Sequence, residues 1–590
     1  MTEVIVPIDP ALDAALSRWE RHGRPGLPEG GFTLSRLPGR QRRGIYRADT
    51  GEAVIEPDGH ILRMAAAPDR RHIAIQLAEH ADENADLAIV DVASGQVHPY
   101  PGVRCRYEPM VWDAHSRTVD LVAREPQRLV SVDVTAQRVT TTELTAEARV
   151  RLFPAGPRGL LCESRPGTPT RMVDRATGRH FASFPAVVRV VGIDDDVLID
   201  DGTTLHVLDP RGGTEKWSWQ DPALQITSLA VAGRHVHIGA VRDGHSVLLR
   251  LADGHVIDER LVSYRGAPAV ASGVSADDGR VHVLIEAPAL PPRVVPALEL
   301  LADTAETSSR ENATVARTQW HTVTADDGEN ISVAITSPVD IDGPTPLILT
   351  CYGGFGVPSL PVFEPTIPAW IEHGGRYAIA HVRGGGERGK AWRDAGRGRN
   401  KHRGIDDLAC VARGLVEAGY TRPDQLVLVG ASHGGVLVSS CALGFPDLCA
   451  GVVSTAAPLD LLNLDAHPLG HHWINEFGDP DSPGGIDELR RISPLHRAQT
   501  LPAGIRLPRF LGVVLADDSR VNADATQAVV DALRDRGGDA AVWRADRTGH
   551  GSNHLDSLHR LGATVLSFAA ITTGPARPTT SPTEERAHRT

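Results

Sequence analysis

Two different arrangements of apolar and polar positions divide the chain into two large regions. From residue 31 to residue 310, short runs of alternating apolar and polar residues are broken repeatedly by turn residues. This pattern predicts an all-β domain of many short strands. From residue 311 to residue 572, apolar strands alternate with helical runs. Such alternation predicts a mainly parallel, doubly wound sheet.

The two ends of the chain differ from both regions. Residues 1–30 begin with a helical pattern and end in a sequence rich in glycine and proline. The apolar positions of that pattern are Ala11, Leu12, Ala15, Leu16 and Trp19. Because this segment has too little apolar surface to form a domain, we expect it to pack on the doubly wound domain. Residues 573–590 have the composition of a disordered tail.

An internal repeat organises the all-β region. An apolar strand followed by an aspartate and a turn recurs with aspartate spacings of 42, 42, 41, 35 and 44 residues, at Asp49, Asp91, Asp133, Asp174, Asp209 and Asp253. A period near 40 residues with several strands per unit predicts a β-propeller. A degenerate seventh copy at residues 297–300 favours seven blades, with six as the alternative. We expect the aspartates to close turns by accepting backbone hydrogen bonds rather than to bind calcium.

One motif in the second region has the context of a nucleophile. Gly430-Ala-Ser-His-Gly434 fits the pattern G-x-S-x-G, with an apolar strand at residues 426–429 and a helical run at residues 436–443. A sharp turn between a strand and a helix presents the serine hydroxyl at the edge of a sheet. Because serine is a weak nucleophile at its own pKa, Ser432 requires a histidine base and a carboxylate.

Candidates for that base and acid follow two later strands. The strand at residues 510–515 leads into Asp517 and Asp518, and the strand at residues 540–543 is followed by His550 between two glycines. Catalytic groups of open α/β sheets lie at the carboxyl ends of strands, and the order Ser, Asp, His is that of α/β-hydrolases. The second region is therefore predicted to be an α/β-hydrolase, with either aspartate orienting the histidine.

Composition narrows the class of protein. With 590 residues and a net charge of −13, the chain is long enough for two or more domains and lacks the basic surface of a general nucleic-acid binder. The N-terminus does not resemble a signal peptide, and no run approaches the roughly 20 apolar residues of a membrane span. The six cysteines form neither a disulfide framework nor C-x-x-C metal spacing. We therefore expect a soluble, cytoplasmic protein that binds neither nucleic acid nor membrane.

Three histidines lie close together but do not predict a metal site. His467, His471 and His472 are accompanied by no matching pattern of carboxylates or thiolates. We expect the protein to hold no metal and to need no cofactor.

Several blocks of the second region closely resemble the prolyl oligopeptidase family of serine peptidases. They are residues 352–355, 381–389, 430–435, 446–448, 472–478, 493–496, 518–521 and 549–551. These blocks cover most of residues 320–570, and a propeller ahead of the hydrolase is the arrangement of that family. The resemblance implies cleavage of short peptides after proline through an acyl-enzyme. It also implies that the propeller covers the active site of a protein expected to be monomeric.

The resemblance also implies roles for the reacting groups. Ser432 would be the nucleophile, Asp518 the acid and His550 the base. The hydroxyl of Tyr352 and the backbone N–H of His433 would form the oxyanion hole. A phenol O–H directed at the developing oxyanion can contribute about 3 kcal/mol to transition-state stabilisation.

The same resemblance implies a pocket for the substrate proline. Trp473 would stack on the proline ring, and Phe355, Phe477 and Val521 would line the same pocket. Arg520 would donate a hydrogen bond to the substrate carbonyl one residue before the P1 residue, the residue on the acyl side of the cleaved bond.

Three positions depart from the family pattern, and two other functions stay open. His433 stands where the family usually has asparagine, Phe477 where it often has tyrosine, and Pro458 where it has a small aliphatic residue. The same triad would also serve a peptide macrocyclase or a leader-peptide protease of natural-product biosynthesis. A catalytically silent propeller scaffold is the alternative from another class, and it would require a broken triad.

Overall fold

The structure of the chain, a computed structural model, describes most of both predicted regions. The described residues are 6–80, 83–155, 158–264, 267–301, 316–467, 469–470, 473–550 and 555–574. The predicted boundary near residue 311 and nearly all of the predicted tail lie outside them.

The first region folds as a propeller of seven antiparallel sheets that follow one another along the chain. The first and last sheets have three strands each and the five between them have four. The strands of the first four sheets are Phe32–Ser35, Gly44–Arg47 and Ala53–Ile55; His60–Ala66, His72–Ala78, Ala85–Asp91 and Val97–Cys105; Val111–Trp112, Thr118–Ala123, Arg128–Asp133 and Arg138–Glu143; Arg149–Ala155, Arg158–Ser164, Thr170–Asp174 and His180–Phe184. Those of the last three are Arg189–Ile193, Asp196–Asp200, Thr204–Asp209 and Thr214–Gln220; Leu224–Ala232, His235–Arg242, His245–Ala252 and His255–Leu261; Val270–Asp277, Arg280–Ala287 and Leu290–Pro296. A two-stranded ribbon, Ser263–Tyr264 with Ala267–Pro268, precedes the last sheet. The prediction of seven blades is confirmed.

The repeated aspartates lie at the turns before the outermost strands, as their spacing predicts. Five of the six side chains accept a hydrogen bond of 2.8 or 2.9 Å from a backbone N–H one to three residues ahead: Asp49, Asp91, Asp133, Asp174 and Asp209. Asp253 instead occupies the turn itself, with a positive φ of 48°. The prediction that these residues close turns is confirmed for the five.

The prediction of the seventh copy was wrong in its position. Residues Ala297–Leu301 form a short helix because Ala-Leu-Glu-Leu-Leu is rich in helix formers and buries positions one turn apart. The seventh blade lies earlier, at Val270–Pro296. Its Asp277 carboxylate accepts the Gly31 N–H at 3.1 and 3.2 Å, which joins the last blade to the chain entering the first blade.

The second region is built on one eight-stranded sheet. In spatial order its strands are Ala316–Thr324, Asn330–Pro338, Arg376–Ala380, Leu347–Thr350, Leu426–Ala431, Gly451–Thr455, Arg509–Leu515 and Ala540–Ala545. The second strand is antiparallel to both of its neighbours, and the other pairings are parallel. This is the predicted α/β-hydrolase arrangement, which brings the carboxyl ends of the last strands together.

Helices cover both faces of this sheet. The α-helices of this domain are Pro10–Glu20, Thr366–Glu372, Gly389–Ala395, Lys401–Glu417, His433–Gly444, Ile474–Phe477, Gly485–Ile492, Pro494–Thr500, Asp524–Arg534 and Leu555–Thr573, whereas the helix Ala297–Leu301 packs on the propeller. Short 3₁₀ turns occur at Gly398–Asn400, Pro423–Gln425, Pro446–Leu448 and Leu464–Ala466. None of the helices in the described part of the chain is both long and apolar enough to cross a membrane.

The N-terminal helix packs on the hydrolase sheet. Its Leu12 and Leu16 are buried in one apolar core with the strands and with the helix Leu555–Thr573. His559 of that last helix also contacts the Glu20 carboxylate through Nδ1 at 2.7 Å and the Asp13 carboxylate through Nε2 at 2.9 Å. The first and last described helices are thereby fixed to each other beside the sheet.

Candidate active site

Ser432 occupies a strained turn between the strand Leu426–Ala431 and the helix His433–Gly444. Its backbone has φ 53° and ψ −123°, a conformation that costs a non-glycine residue about 1–3 kcal/mol. The turn is held by the Ser432 N–H, which donates to the Thr455 carbonyl at 2.8 Å. A side chain at Gly430 would collide with the Gly434 backbone, so the turn requires a small residue there. The motif therefore has the strained geometry expected of a nucleophile turn.

The structure brings His550 together with Asp518. The imidazole Nδ1 lies 2.9 Å from Asp518 Oδ2, while Oδ1 accepts the backbone N–H groups of Arg520 at 2.8 Å and Val521 at 3.0 Å. Burial alone would raise the pKa of Asp518, but the hydrogen bonds from His550 and from the two backbone groups lower it below its ordinary value. Asp518 is therefore a carboxylate that accepts the Nδ1–H of His550, which leaves Nε2 as the basic nitrogen.

Asp517 has a different environment, although it precedes Asp518 directly. Its backbone N–H donates to the Thr548 carbonyl at 2.9 Å, a contact between the two loops that carry the acid and the base. Both aspartates follow the same strand, but in the structure it is Asp518 that pairs with His550.

Tyr352 and Ser432 line the same pocket. Burial raises the pKa of the Tyr352 phenol, and an interaction with the Ser432 side chain only partly opposes this shift. The phenol is therefore protonated at neutral pH and can donate its O–H to an oxyanion on a carbon bonded to Ser432.

The His433 side chain holds the backbone of Tyr352. Nδ1 of His433 lies 2.7 Å from the Tyr352 carbonyl oxygen and must carry the proton, because a carbonyl oxygen only accepts. The ring stacks on Phe477 with centroids 5.0 Å apart and an interplanar angle of 21°. Burial and the nearby Lys401 charge lower the pKa of His433 well below its usual value, so the ring is neutral.

A buried ion pair lies behind His433. Lys401 Nζ is 2.5 Å from Glu476 Oε1, and both side chains are almost fully buried. Lys401 also donates to the Gly353 carbonyl at 3.3 Å, while His433 Nε2 lies 3.9 Å from the same Glu476 oxygen. The pair joins the loop after Tyr352 to the short helix that carries Phe477.

These groups surround a pocket of about 190 Å³. Its lining residues are Tyr352, Phe355, Ser432, His433, Pro458, Leu469, Trp473, Phe477, Arg520 and His550. The volume lies below the roughly 300–1,000 Å³ of pockets for drug-sized ligands and suits a single apolar side chain. The structure brings together every residue expected here except Val521, which is buried and contributes its backbone N–H to Asp518. Leu469 was not predicted.

The propeller contributes a side chain to the rim of this pocket. Glu83, between the second and third strands of the second blade, accepts Arg520 Nε at 3.0 Å and Nη2 at 2.7 Å. Arg106 pairs with the same carboxylate and lies 3.4 Å from Ser519 Oγ. Burial would raise the pKa of Glu83, but its bonds to Arg520 and Arg106 lower it below its ordinary value. Arg520 Nη1 has no hydrogen-bond partner among the described residues.

The histidines near the pocket behave as structural residues where they are described. His467 Nδ1 accepts the Asn522 N–H at 2.9 Å, and His471 and His472 lie outside the described residues. Within the described ranges, no group of three or more histidine, cysteine or acidic side chains could hold a metal ion.

Comparison with known sequences now places the catalytic region in a family. Residues 361–575 match the family model described as "Prolyl oligopeptidase family". Residues 361–575 belong to the prolyl oligopeptidase family. The resemblance predicted from the sequence blocks is confirmed.

Curated proteins match about a third of the chain. An uncharacterized peptidase of Sinorhizobium fredii is 35% identical over 218 residues, which cover 36% of this chain and 30% of the relative. A prolyl endopeptidase of Elizabethkingia miricola is 34% identical over 201 residues, covering 34% and 28% respectively. The matched stretch thus spans less than a third of the length of either relative.

Solved structures of prolyl oligopeptidases match the fold over nearly the whole chain. A structure from a study of two prolyl endopeptidases superposes with a TM-score of 0.82 at 20% identity, covering 95% of this chain and 91% of that one. A post-proline cleaving enzyme from Rickettsia typhi gives a TM-score of 0.80 at 15% identity, with coverages of 96% and 95%. The combination of a propeller with an α/β-hydrolase is the fold that these structures share with this chain.

Proposed function

We propose that this protein is a serine peptidase that hydrolyses short peptides on the carboxyl side of proline. The observation that carries the proposal is the Asp518–His550 pair beside Ser432, in a pocket walled by Tyr352 and Trp473. The names of curated relatives, such as the prolyl endopeptidase of Elizabethkingia miricola, support the same activity.

The proposed reaction begins with attack of Ser432 Oγ on the carbonyl carbon of the scissile peptide bond. His550 Nε2 takes the serine proton, and Asp518 stabilises the imidazolium that forms. The carbonyl oxygen becomes an oxyanion that accepts the Tyr352 O–H and the His433 backbone N–H.

Collapse of this intermediate breaks the C–N bond. The proton on His550 passes to the leaving amine, and the acyl group remains on Ser432. A water molecule then repeats the sequence with His550 as base, which releases the acid product and restores the serine hydroxyl.

Selection for proline is assigned to the aromatic walls of the pocket. Trp473 would stack on the pyrrolidine ring, with Phe355 and Phe477 closing the sides. Because the His433 ring is neutral and stacked on Phe477, it acts as another apolar wall rather than as a charge. Pro458 lines the same pocket.

We further propose that the protein acts as a monomer in the cytoplasm. All six cysteines are described, and each is buried and outside any disulfide. Buried reduced thiols support a reducing compartment. Sedimentation of the purified protein at micromolar concentration tests the oligomeric state, and a dimer would contradict it.

Mass analysis of reaction products tests the proposed chemistry. A short peptide with one internal proline is expected to give two linear fragments, one ending in proline. A cyclic product would show transfer of the acyl group to an amine and would identify a macrocyclase. Absence of turnover together with failure of a fluorophosphonate to label Ser432 would identify a silent scaffold.

Replacement of Arg520 by alanine is expected to reduce peptide turnover more than ester turnover. The lost charge-assisted hydrogen bond to the substrate carbonyl should lower kcat/KM for peptides by about 10- to 100-fold. Hydrolysis of a small proline ester that lacks the preceding carbonyl should change by less than about threefold, since the bond is absent there. Steady-state kinetics on both substrates measure the difference.

Two further variants control this experiment. Glu83→Gln removes the charge that orients Arg520 and should give a smaller loss in the same direction, whereas Arg104→Ala removes an exposed propeller arginine paired with Asp86 and should change neither rate. Equal losses on peptide and ester in Arg520→Ala would contradict the assigned role.

A further inference from the structure

A second, larger cavity adjoins the nucleophile turn from another direction. Its volume is about 780 Å³, and none of its lining residues is shared with the smaller pocket. It reaches Ala431, directly before Ser432, and Thr455, whose carbonyl accepts the Ser432 N–H. Tyr107 of the propeller and residues of the N-terminal segment close it on other sides. The cavity therefore lies between the two domains, next to the reacting serine.

Arginines dominate the charged lining of this cavity, at Arg24, Arg36, Arg42 and Arg43. Arg24 is paired with Glu286 at 3.3 Å, and the single hydrogen bond of the Arg36 side chain to a described residue goes to the Glu20 carbonyl at 3.4 Å. Arg43 makes no side-chain hydrogen bond or ion pair with any residue in the described ranges. The Arg43 side chain is exposed at the mouth of the cavity, where partial desolvation and the nearby charge of Arg24 lower its pKa, so the two guanidinium groups repel each other.

The acidic residues of the cavity do not balance this charge. Two glutamates, Glu20 and Glu364, lie in the lining. Glu20 is occupied by His559 at 2.7 Å. Burial raises the pKa of Glu364, and Arg24 opposes the shift. An unpaired guanidinium beside a second arginine is repelled by it, and a ligand carboxylate relieves that repulsion through a forked pair of hydrogen bonds.

The position of the cavity indicates which part of a peptide would enter it. In the proposed mechanism the smaller pocket holds the acyl side of the scissile bond and His550 protonates the leaving amine, so the leaving part begins at His550 and extends away from that pocket. The helix Leu555–Thr573, which follows His550 in the chain, lines the larger cavity through Leu555 and Leu558. A free peptide carries a carboxylate at the end of its leaving part.

We propose that Arg24, Arg36 and Arg43 bind a carboxylate in the leaving part of the peptide substrate. This inference rests on the proposed peptidase function and specifies the substrates as peptides with a free C-terminus or an acidic residue beyond the scissile bond. The C-terminal carboxylate and an acidic side chain share the chemistry that the arginines recognise.

Three matched peptides test this site. They share one sequence with an internal proline and end in a free acid, in an amide, or in an amide preceded by aspartate. Wild-type protein is expected to turn over the free acid with a kcat/KM about tenfold above that of the plain amide, as for one charge-assisted bond. Recovery by the aspartate peptide assigns the preference to any carboxylate, and its absence assigns the preference to the C-terminus.

Variants of Arg43 test whether this residue causes the preference for the free-acid peptide over the amide. Arg43→Gln should bring the acid-to-amide ratio close to one, and Arg43→Lys should retain part of it. Arg40→Gln is the matched control, because Arg40 lies on the same segment, is largely exposed and pairs with Glu56 outside the cavity. It should keep the wild-type ratio.

Equal turnover of the three peptides by wild-type protein would overturn the inference, even if Arg43→Gln does not fold. Absence of all turnover would instead contradict the proposed function. In that case calorimetric binding of the acid and the amide to the wild-type protein decides the inference separately, and equal affinities overturn it.

Discussion

Replacement of Ser432 by alanine is expected to abolish peptide turnover, lowering kcat/KM by about 10⁴-fold or more. The change removes only the hydroxyl oxygen, because alanine keeps the Cβ that the turn already accommodates. The bond from the backbone N–H of residue 432 to Thr455 also remains. Folding, measured by thermal unfolding, should therefore change little.

Ser439 provides a matched control for this variant. It lies in the helix that follows Ser432, is fully buried, and its hydroxyl has no hydrogen-bond partner among the described residues. Ser439→Ala should keep wild-type turnover and fluorophosphonate labelling, whereas Ser432→Ala should lose both. Turnover by Ser432→Ala within tenfold of wild type would refute an acyl-enzyme on this residue.

Replacement of Asp518 by asparagine is expected to lower kcat by about 10³- to 10⁴-fold. The carboxylate accepts from His550 and from the backbone N–H groups of Arg520 and Val521. An amide can preserve the backbone contacts through its oxygen, but its NH₂ group then faces Nδ1 and favours the wrong histidine tautomer. The loss should therefore appear in kcat rather than in stability.

The neighbouring residue makes this prediction specific. Asp517→Asn changes the same side chain one position earlier, where the hydrogen bond to a described residue is a backbone contact to Thr548. Its kcat should stay within about threefold of wild type, since it stabilises no charge on His550. Equal losses in the two variants would show that the effect comes from the loop and not from the acid.

The chemistry of the site was predictable because its parts follow strand ends. The strand before Ser432 and the strands before Asp518 and His550 are neighbours or next neighbours in one parallel sheet, so short loops bring the three residues together. Choosing between Asp517 and Asp518 from the residues alone was not feasible. Both follow the same strand, and the choice depends on which side chain turns toward the histidine.

Contacts between the two domains could not be predicted from the sequence. Glu83 and Arg520 are 437 residues apart, and a single glutamate in a propeller loop resembles any surface acid. The Lys401–Glu476 pair behind His433 was missed for the same reason, since both residues lie in polar stretches that predict exposure.

The propeller also has features that the sequence predicts and features that it does not. Its period was readable because each blade repeats a turn that an aspartate closes by a local hydrogen bond. The position of the last blade was not, because its sheet has only three strands and its Asp277 ends the first of them, where it accepts the Gly31 N–H instead of closing the repeated turn. A repeated sequence pattern predicts contacts within a turn, but it does not predict contacts between distant parts of the chain.

Turnover of a peptide series that varies only at P1 shows whether the pocket selects proline. Proline, alanine, valine, phenylalanine and arginine at that position would be compared in one mixture, with the cleavage sites and rates read by mass spectrometry. We predict cleavage on the carboxyl side of proline, with kcat/KM for proline exceeding that for alanine by about 10- to 200-fold, as for other fitted apolar pockets. Cleavage at similar rates whatever the P1 residue, or preferentially after arginine, would contradict post-proline cleavage.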